Sequence, residues 1–227
     1  MTKRSKRYRE ALGKIDKAKL YPIDEAIQLV KDTAKTKFDS SVEVHIKLGI
    51  DTKKADQLVR GTVLLPYGLG KERRLIAFVM PAKEKEAKEA GADIIGDDAM
   101  IKKIKETKKC DFDIAVAEPA LMKNLSQVAK ILGQKGLMPN PKTETISPDI
   151  SKIIKELKGG KGMFRSDDSG NLHQMIGKAS FDNLKLKENY QAFLDAVKKS
   201  KPEGVKGTYI LSLHLSSSMS PSVKIKI

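Results

Sequence analysis

The stretch from Val42 to Ile50 reads Val-Glu-Val-His-Ile-Lys-Leu-Gly-Ile. Its apolar residues occupy every second position, and a carboxylate, an imidazole, an ammonium group and a glycine lie between them. Because successive side chains of a strand point to opposite faces, this alternation predicts a strand with one buried face and one polar face. The polar face is free to bind another molecule.

Alternation of the same kind returns in the last third of the chain. It predicts half-exposed strands over four segments: residues 163–166, 172–177, 209–216 and 223–227. Apolar residues at helical spacing predict one helix that begins near Pro22 and another over residues 183–199. Both ends of the chain therefore carry strands with a polar face.

The middle of the chain has a different pattern. Its predicted strands are short and almost wholly apolar: residues 75–80, 93–95 and 113–117. Predicted helices alternate with them: residues 82–90, 99–108 and 119–132, the last one ending at Gly133. Apolar strands that alternate with helices are typical of a parallel sheet covered on both faces, as in a small Rossmann-like domain.

Gly-rich stretches at residues 66–70 and 159–162 separate the middle from the two ends and have the composition of hinges. Because chain termini often lie close together, we predict an α/β chain of two domains. Residues 1–67 plus 159–227 form a discontinuous α+β terminal domain, and residues 68–158 form an inserted Rossmann-like α/β domain. The expected hinge residues are Tyr67, Gly68, Gly70, Gly159 and Gly160.

The chain is strongly basic. It has 227 residues, 44 Lys and Arg against 29 Asp and Glu, a net charge of +15 and a pI of about 9.7. The two predicted ends together carry +11 and the middle +4. Such a charge favours a polyanionic partner, chiefly a phosphate backbone, and the alternative is a solvated lysine-rich surface. The first 20 residues, with eight Lys or Arg, are either a solvated helix or a flexible arm that contacts a polyanion.

Several classes of protein are not expected. No apolar run approaches the roughly 18 residues of a membrane span, so we expect no membrane partner. The basic N-terminus has no apolar segment after it, unlike a secretory signal. The single Cys110 excludes an intramolecular disulfide and a multi-cysteine zinc site. We expect a cytoplasmic protein that is monomeric in isolation.

Enzyme motifs are incomplete in this sequence. A phosphate-binding loop that ends at Gly70-Lys71 needs glycine at Leu65 and Ser or Thr at Glu72. The turn after the first middle strand, residues 79–83, has no glycine of the dinucleotide-binding type. His45, His173 and His214 lack metal-ligand spacing. We therefore expect no enzyme activity, no cofactor and no metal.

Five segments, in order along the chain, resemble one family: residues 37–44, 54–68, 136–142, 176–178 and 216–221. The most recognisable of them reads Gly136-Leu137-Met138-Pro139-Asn140-Pro141-Lys142. The family is the bacterial large-subunit ribosomal protein L-one family, and the resemblance covers essentially the whole chain. It implies a terminal domain that binds large-subunit rRNA at the mobile stalk near the tRNA exit site. It also implies contact with deacylated tRNA, help in tRNA release, and repression of translation by binding the chain's own messenger RNA.

The resemblance also implies which residues contact RNA: Lys37, Phe38, Ser41, Glu43, Arg165, His173, Ser218, Met219 and Ser220. Lysine and arginine neutralise phosphates, apolar and aromatic side chains pack on bases, and a carboxylate accepts from 2′-OH groups. Without the resemblance, Phe38 is as readily a core residue at the start of a strand. The family usually has Gly at Ser220 and Lys at Asp168, which puts those two contacts in doubt. The alternative function is non-specific binding of nucleic acid by a basic protein.

Overall fold

The computed structural model describes residues 4–54 and 56–226, apart from the side chain of Lys142. The backbone forms two compact units. The terminal unit consists of Met1–Gly70 and Gly162–Ile227, and the inserted unit consists of Lys71–Lys161. Mixed helices and strands occur in both units, which confirms the α/β class.

Helices and strands of the terminal unit come from both ends of the chain. The helices are α1 (Lys6–Gly13), α2 (Ile23–Thr33) and α8 (Asn183–Lys199). The strands are β1 (Ser41–Leu48), β2 (Arg60–Leu64), β6 (Lys161–Arg165), β7 (Asn171–Lys178), β8 (Ile210–Ser217) and β9 (Val223–Lys224). Strand β1 agrees closely with its prediction, and α8 has the predicted bounds.

Four of these strands form one antiparallel sheet in the order β7-β1-β8-β9, and β2 pairs with β6 in a separate sheet. The apolar side chains of β1 are buried: Val42, Val44, Ile46 and Leu48. They share one core with apolar residues of α2 and α8, among them Ile27, Val30 and Phe193. Both helices thus belong to the buried side of the sheet, and the polar side chains of β1 are left on the opposite side.

The inserted unit alternates strands and helices. Its elements are β3 (Leu75–Phe78), α3 (Glu84–Glu89), β4 (Ile94–Ile95), α4 (Asp98–Thr107), β5 (Ile114–Ala117), α5 (Met122–Leu125), α6 (Ala129–Gln134) and α7 (Ile150–Lys158). The strands form a parallel sheet in the order β4-β3-β5. All four residues of β3 and of β5 are buried, as the apolar runs predicted.

Some predicted elements were wrong in detail. The helix expected over residues 119–132 is a series of short 3₁₀ and α segments that continues past Gly133 to Gln134. The hydroxyl of Ser126 donates to the carbonyl of Lys123 three residues before it, and such local bonds compete with regular helix. The final strand is only Val223–Lys224, followed by a single bridge from Ile225 to Tyr21, and Ile227 lies outside the described residues.

Asn189 of α8 is fully buried and holds the end of the first chain segment of the terminal unit. Its Nδ2 donates to the carbonyls of Gly68, at 3.0 Å, and Ile176, at 2.7 Å. Its Oδ1 accepts from the backbone N–H of Tyr67 at 3.1 Å. Next along the chain, Gly70 has a φ of 65°, and a Cβ there would lie 2.9 Å from the Phe181 ring. The backbone of residues 67–70 is therefore held against the terminal unit, although Tyr67 and Gly70 are exposed.

We expect Asn189→Ala to lower the free energy of unfolding by roughly 2–4 kcal/mol, because it leaves buried backbone groups without partners. Chemical denaturation of the full chain measures this change. The matched control is Gln191→Ala on the exposed side of the same helix, with an expected change within about 0.5 kcal/mol. Equal stability of the two variants would contradict the role of Asn189.

Candidate nucleic-acid interface

The loop between α2 and β1 presents Lys37 and Phe38 to solvent. The Phe38 ring is 55% exposed, and the Lys37 side chain is exposed beside it. The loop is locally ordered by the hydroxyl of Thr36, which donates to the carbonyl of Phe38 at 2.6 Å. Phe38 is therefore not a core residue, and its ring is open to stacking by a base or a sugar.

A tight turn between β8 and β9 presents Met219. The backbone N–H of Ser220 donates to the carbonyl of Ser217 at 3.0 Å, and the two hydroxyls are 2.9 Å apart. Met219 has a φ of 62° and is 71% exposed. A left-handed backbone conformation is unfavourable for residues other than glycine. The hydrogen bonds between Ser217 and Ser220 hold Met219 in this conformation, with its side chain in solvent.

Hydrogen bonds bring these two loops together at one end of the four-stranded sheet. The Ser220 hydroxyl donates to the carbonyl of Thr33 at 2.9 Å, and the N–H of Ser218 donates to the carbonyl of Ser41 at 3.0 Å. Lys178 of β7 donates to the carbonyl of Asp39 at 3.2 Å. We call loop residues 34–40 and turn residues 217–220, with Ser41 and Lys178, the loop end. It contains six of the nine predicted RNA-contacting residues.

Glu43 adjoins the loop end on the polar face of the sheet. It lies opposite Met175 of β7 and Ser216 of β8, and its side chain is 41% exposed. Its carboxylate is 3.9 Å from Nε2 of His45. Because Glu43 is only half-covered, its oxygens are accessible to donors on a bound molecule.

The three histidines lie in one row across the polar face. His45 of β1 is opposite His173 of β7 on one side and His214 of β8 on the other. Nδ1 of His45 is 2.8 Å from Nδ1 of His173, and its Nε2 is 3.0 Å from the Ser216 hydroxyl. His173 is thereby joined to the same surface as Glu43.

Burial and neighbouring charges favour neutral imidazoles at His45 and His214. Burial lowers the pKa of His45, the neighbouring His173 and His214 lower it further, and Glu43 opposes them. Burial also lowers the pKa of His214, and the charge of Lys224 acts in the same direction. Neutral imidazoles at pH 7 both donate and accept hydrogen bonds, which suits sugar hydroxyls and base edges.

Arg165 is not part of the four-stranded sheet that carries Glu43 and the histidines. It is exposed at the last residue of β6, in the two-stranded sheet. The loop that follows is organised by Asp167, which accepts from Ser169 N–H and from the backbone and side chain of Asn171. Burial opposes ionisation of Asp167, but these bonds outweigh it and lower its pKa.

Residue patterns alone did not reveal how His45, Ser216 and Lys178 contribute to this surface. The alternation placed His45 and His214 on polar faces, but it gave no strand order. His45 and His173 are 128 residues apart in sequence, and only the antiparallel register brings their rings together. Lys178 ends one of the five segments that resemble the family, yet its bond to the loop depends on the pairing of β7 with β1.

Among residues 4–54 and 56–226, no group of three or more His, Cys, Asp and Glu side chains is arranged to hold a metal ion. In the same part of the chain, no helix is both long and apolar enough to span a membrane.

Comparison with known proteins decides the family. Residues 30–221 match the ribosomal protein L1p/L10e family. The chain belongs to that family. The large ribosomal subunit protein uL1 of Mycoplasma capricolum subsp. capricolum is 49% identical to it over 226 residues, all of both chains. Two further relatives have the same name. The protein of Mesoplasma florum is 47% identical over 100% of both chains. The protein of Mycolicibacterium smegmatis is 49% identical over 99% of this chain and 95% of its own.

Membership of the L1p/L10e family confirms the resemblance drawn from the five segments. The relatives above are named as ribosomal proteins, and the chain is not an enzyme. Ser220, where the family usually has glycine, uses its hydroxyl to hold the turn against Thr33. The Ser220 hydroxyl therefore stabilises the shape of the loop end. Asp168, where the family usually has lysine, is an exposed residue of the loop that Asp167 organises.

We expect the free energy of unfolding to fall as the pH drops from 7.5 through 6.5. The folded-state pKa values of His45 and His214 lie below the ordinary value of 6.5, so in that window the unfolded chain binds more protons. The stability that the neutral imidazoles of His45 and His214 contribute is fully present above their unfolded-state pKa. It is lost as the pH falls through their folded-state pKa values. In His45→Gln the fall is smaller, whereas Ser212→Ala, on the same face, follows the wild type. Urea denaturation at pH 7.5, 6.5 and 5.5 tests this, and identical pH dependence for His45→Gln and the wild type would refute it.

Proposed function

We propose that this chain is a structural protein of the large ribosomal subunit and binds folded rRNA through its terminal unit. The observation that carries the proposal is the loop end, where Phe38 and Met219 are exposed on loops joined by hydrogen bonds to the same sheet. The names of its relatives and the net charge of +15 support it. In this role the protein is cytoplasmic and associated with the ribosome.

The side chains at the loop end divide the work of recognition. Lys37 neutralises a phosphate. Phe38 and Met219 pack against bases or sugars of splayed nucleotides. Glu43 repels phosphate, so its use is to accept from 2′-OH groups or base amino groups, which distinguishes RNA from DNA. His173, held by His45, extends this polar surface across the sheet.

The finer assignments are part of the same proposal. The rRNA element is the mobile stalk near the tRNA exit site, where the protein contacts deacylated tRNA and helps its release. The same surface binds a similar site on the chain's own messenger RNA and represses its translation. Off the ribosome the protein is a monomer.

We further propose that the chain bends where its units join. The proposed hinge residues are Tyr67, Gly68 and Gly70 on one crossing and Gly159 and Gly160 on the other. Asn189 bonds the backbone of Tyr67 and Gly68, so the terminal unit holds the first crossing from one side. On the other crossing, Gly159 caps the end of α7, and Gly160 has a φ of 108°, a conformation that favours glycine.

We expect Glu43→Ala and Met219→Ala to weaken binding to a large-subunit rRNA stalk fragment and to the chain's own messenger RNA together. Covering an exposed Met side chain is worth about 1.5–3 kcal/mol, so Met219→Ala weakens binding by about 10- to 150-fold. The matched control is Met80→Ala, an exposed methionine of the inserted unit. Equilibrium binding against a same-length control duplex across a salt series measures the effect.

A large preference for the fragment that persists as salt rises supports recognition of RNA shape. Equal binding of fragment and duplex, lost together with salt, leaves only a non-specific basic protein. Repression through the same site is refuted if Met219→Ala weakens rRNA binding and leaves messenger binding intact.

A further inference from the structure

The basic N-terminal segment is the part of the sequence that the loop end does not use. In this segment α1 begins after Ser5, whose hydroxyl accepts from the N–H of Tyr8 at 3.3 Å. Of the two expectations for the described part of this segment, helix and flexible arm, the helix is the one observed. A helix holds its charges at fixed spacing.

Helix α1 is attached to the same loop that carries Phe38. Its Ala11 is buried, and Nη1 of Arg7 donates to the carbonyl of Lys35 at 2.9 Å. A shallow groove beside this bond is lined by both helices: Arg7, Glu10, Ala11 and Lys14 with Asp32, Thr33 and Lys35. The carbonyl of Thr33 in turn accepts a hydrogen bond from the hydroxyl of Ser220 in the loop end.

These bonds make α1 continuous with the loop end. Lys35 is bonded to Arg7 and is two residues from Lys37, a separation that spans at most about 7 Å of extended chain. Helix α1 and the loop that carries Lys35 and Lys37 therefore present cationic residues from neighbouring positions of the backbone.

The outer surface of α1 carries cations that are not neutralised by the protein. Arg4, Lys6 and Arg9 are exposed, and none of them forms an ion pair within the described ranges 4–54 and 56–226. The guanidinium of Arg4 lies 4.4 Å from the centre of the Tyr8 ring, which orders it without removing its charge. Lys6 and Arg9 are three residues apart in α1, so their side chains leave the helix on the same side, about 5–6 Å apart.

We propose that α1 is a second phosphate-binding surface, and that its occupant is the RNA strand that continues from the loop end. The inference rests on the proposed function and adds a contact that is electrostatic rather than shape-specific. Arg4, Lys6 and Arg9 bind consecutive phosphates, and Arg7 ties the helix to the loop. The helix strengthens binding without selecting the sequence.

The test compares the triple variant Arg4→Ala/Lys6→Ala/Arg9→Ala with the wild type in binding the rRNA stalk fragment from low to high salt. Each phosphate contact contributes about 0.7–0.9 to the slope of log affinity against log salt. We expect the slope to fall by about 2–3, with affinities that converge at high salt. The conservative Arg4→Lys/Arg9→Lys variant keeps the wild-type slope.

The matched control is Lys102→Ala/Lys103→Ala/Lys105→Ala, three exposed lysines of α4 in the inserted unit, for which the slope is unchanged. Far-ultraviolet circular dichroism establishes that each variant is folded. If the α1 variant has the wild-type slope while the wild type prefers the fragment, the inference is overturned and the proposed function stands. If the wild type shows no preference for the fragment over a duplex, the proposed function is refuted. The proposal that α1 binds the strand continuing from the loop end is then refuted as well.

Discussion

Strand β1 has hydrogen-bonded neighbours on both edges but a core on only one face, and the rest of the terminal unit depends on this constraint. Its apolar residues require α2 and α8 on one side. Its polar residues are left on the other side, and the register with β7 and β8 decides what meets them. A shift by one residue would exchange the two faces. The buried core and the candidate interface are therefore two consequences of one alternation.

Hydrogen bonds to backbone carbonyls at the loop end keep apolar groups in solvent. Burying a Phe or Met side chain is worth about 1.5–3 kcal/mol; Phe38 forgoes about half of it and Met219 most of it. The bonds of Thr36, Ser218 and Ser220 hold them there. Single exposed apolar residues are common, but here two lie on loops joined through the same sheet, beside a basic helix. This arrangement suits a ligand with phosphates outside and flat apolar faces within, which is the chemistry of RNA.

Much of the fold follows from residue patterns. Alternation located β1 and β8, and apolar runs located β3 and β5, because strand period and burial are local properties. Strand order is not local, so the row of His45, His173 and His214 was not foreseen. Asn189 likewise gives no signal in sequence, since its role depends on three backbone groups that meet only in the folded chain. The residues assigned to RNA contact came from family motifs, and the structure adds how six of them are held together.

The central claim is that the loop end and the polar face of the sheet are the RNA-binding surface. Amide chemical-shift mapping of the isotopically labelled full chain, titrated with the large-subunit rRNA stalk fragment, tests it most directly. The account predicts the largest changes at residues 37–43 and 216–220, with smaller changes at His173 and little in the inserted unit. Changes concentrated in residues 71–161, with the loop end unaffected, would contradict it.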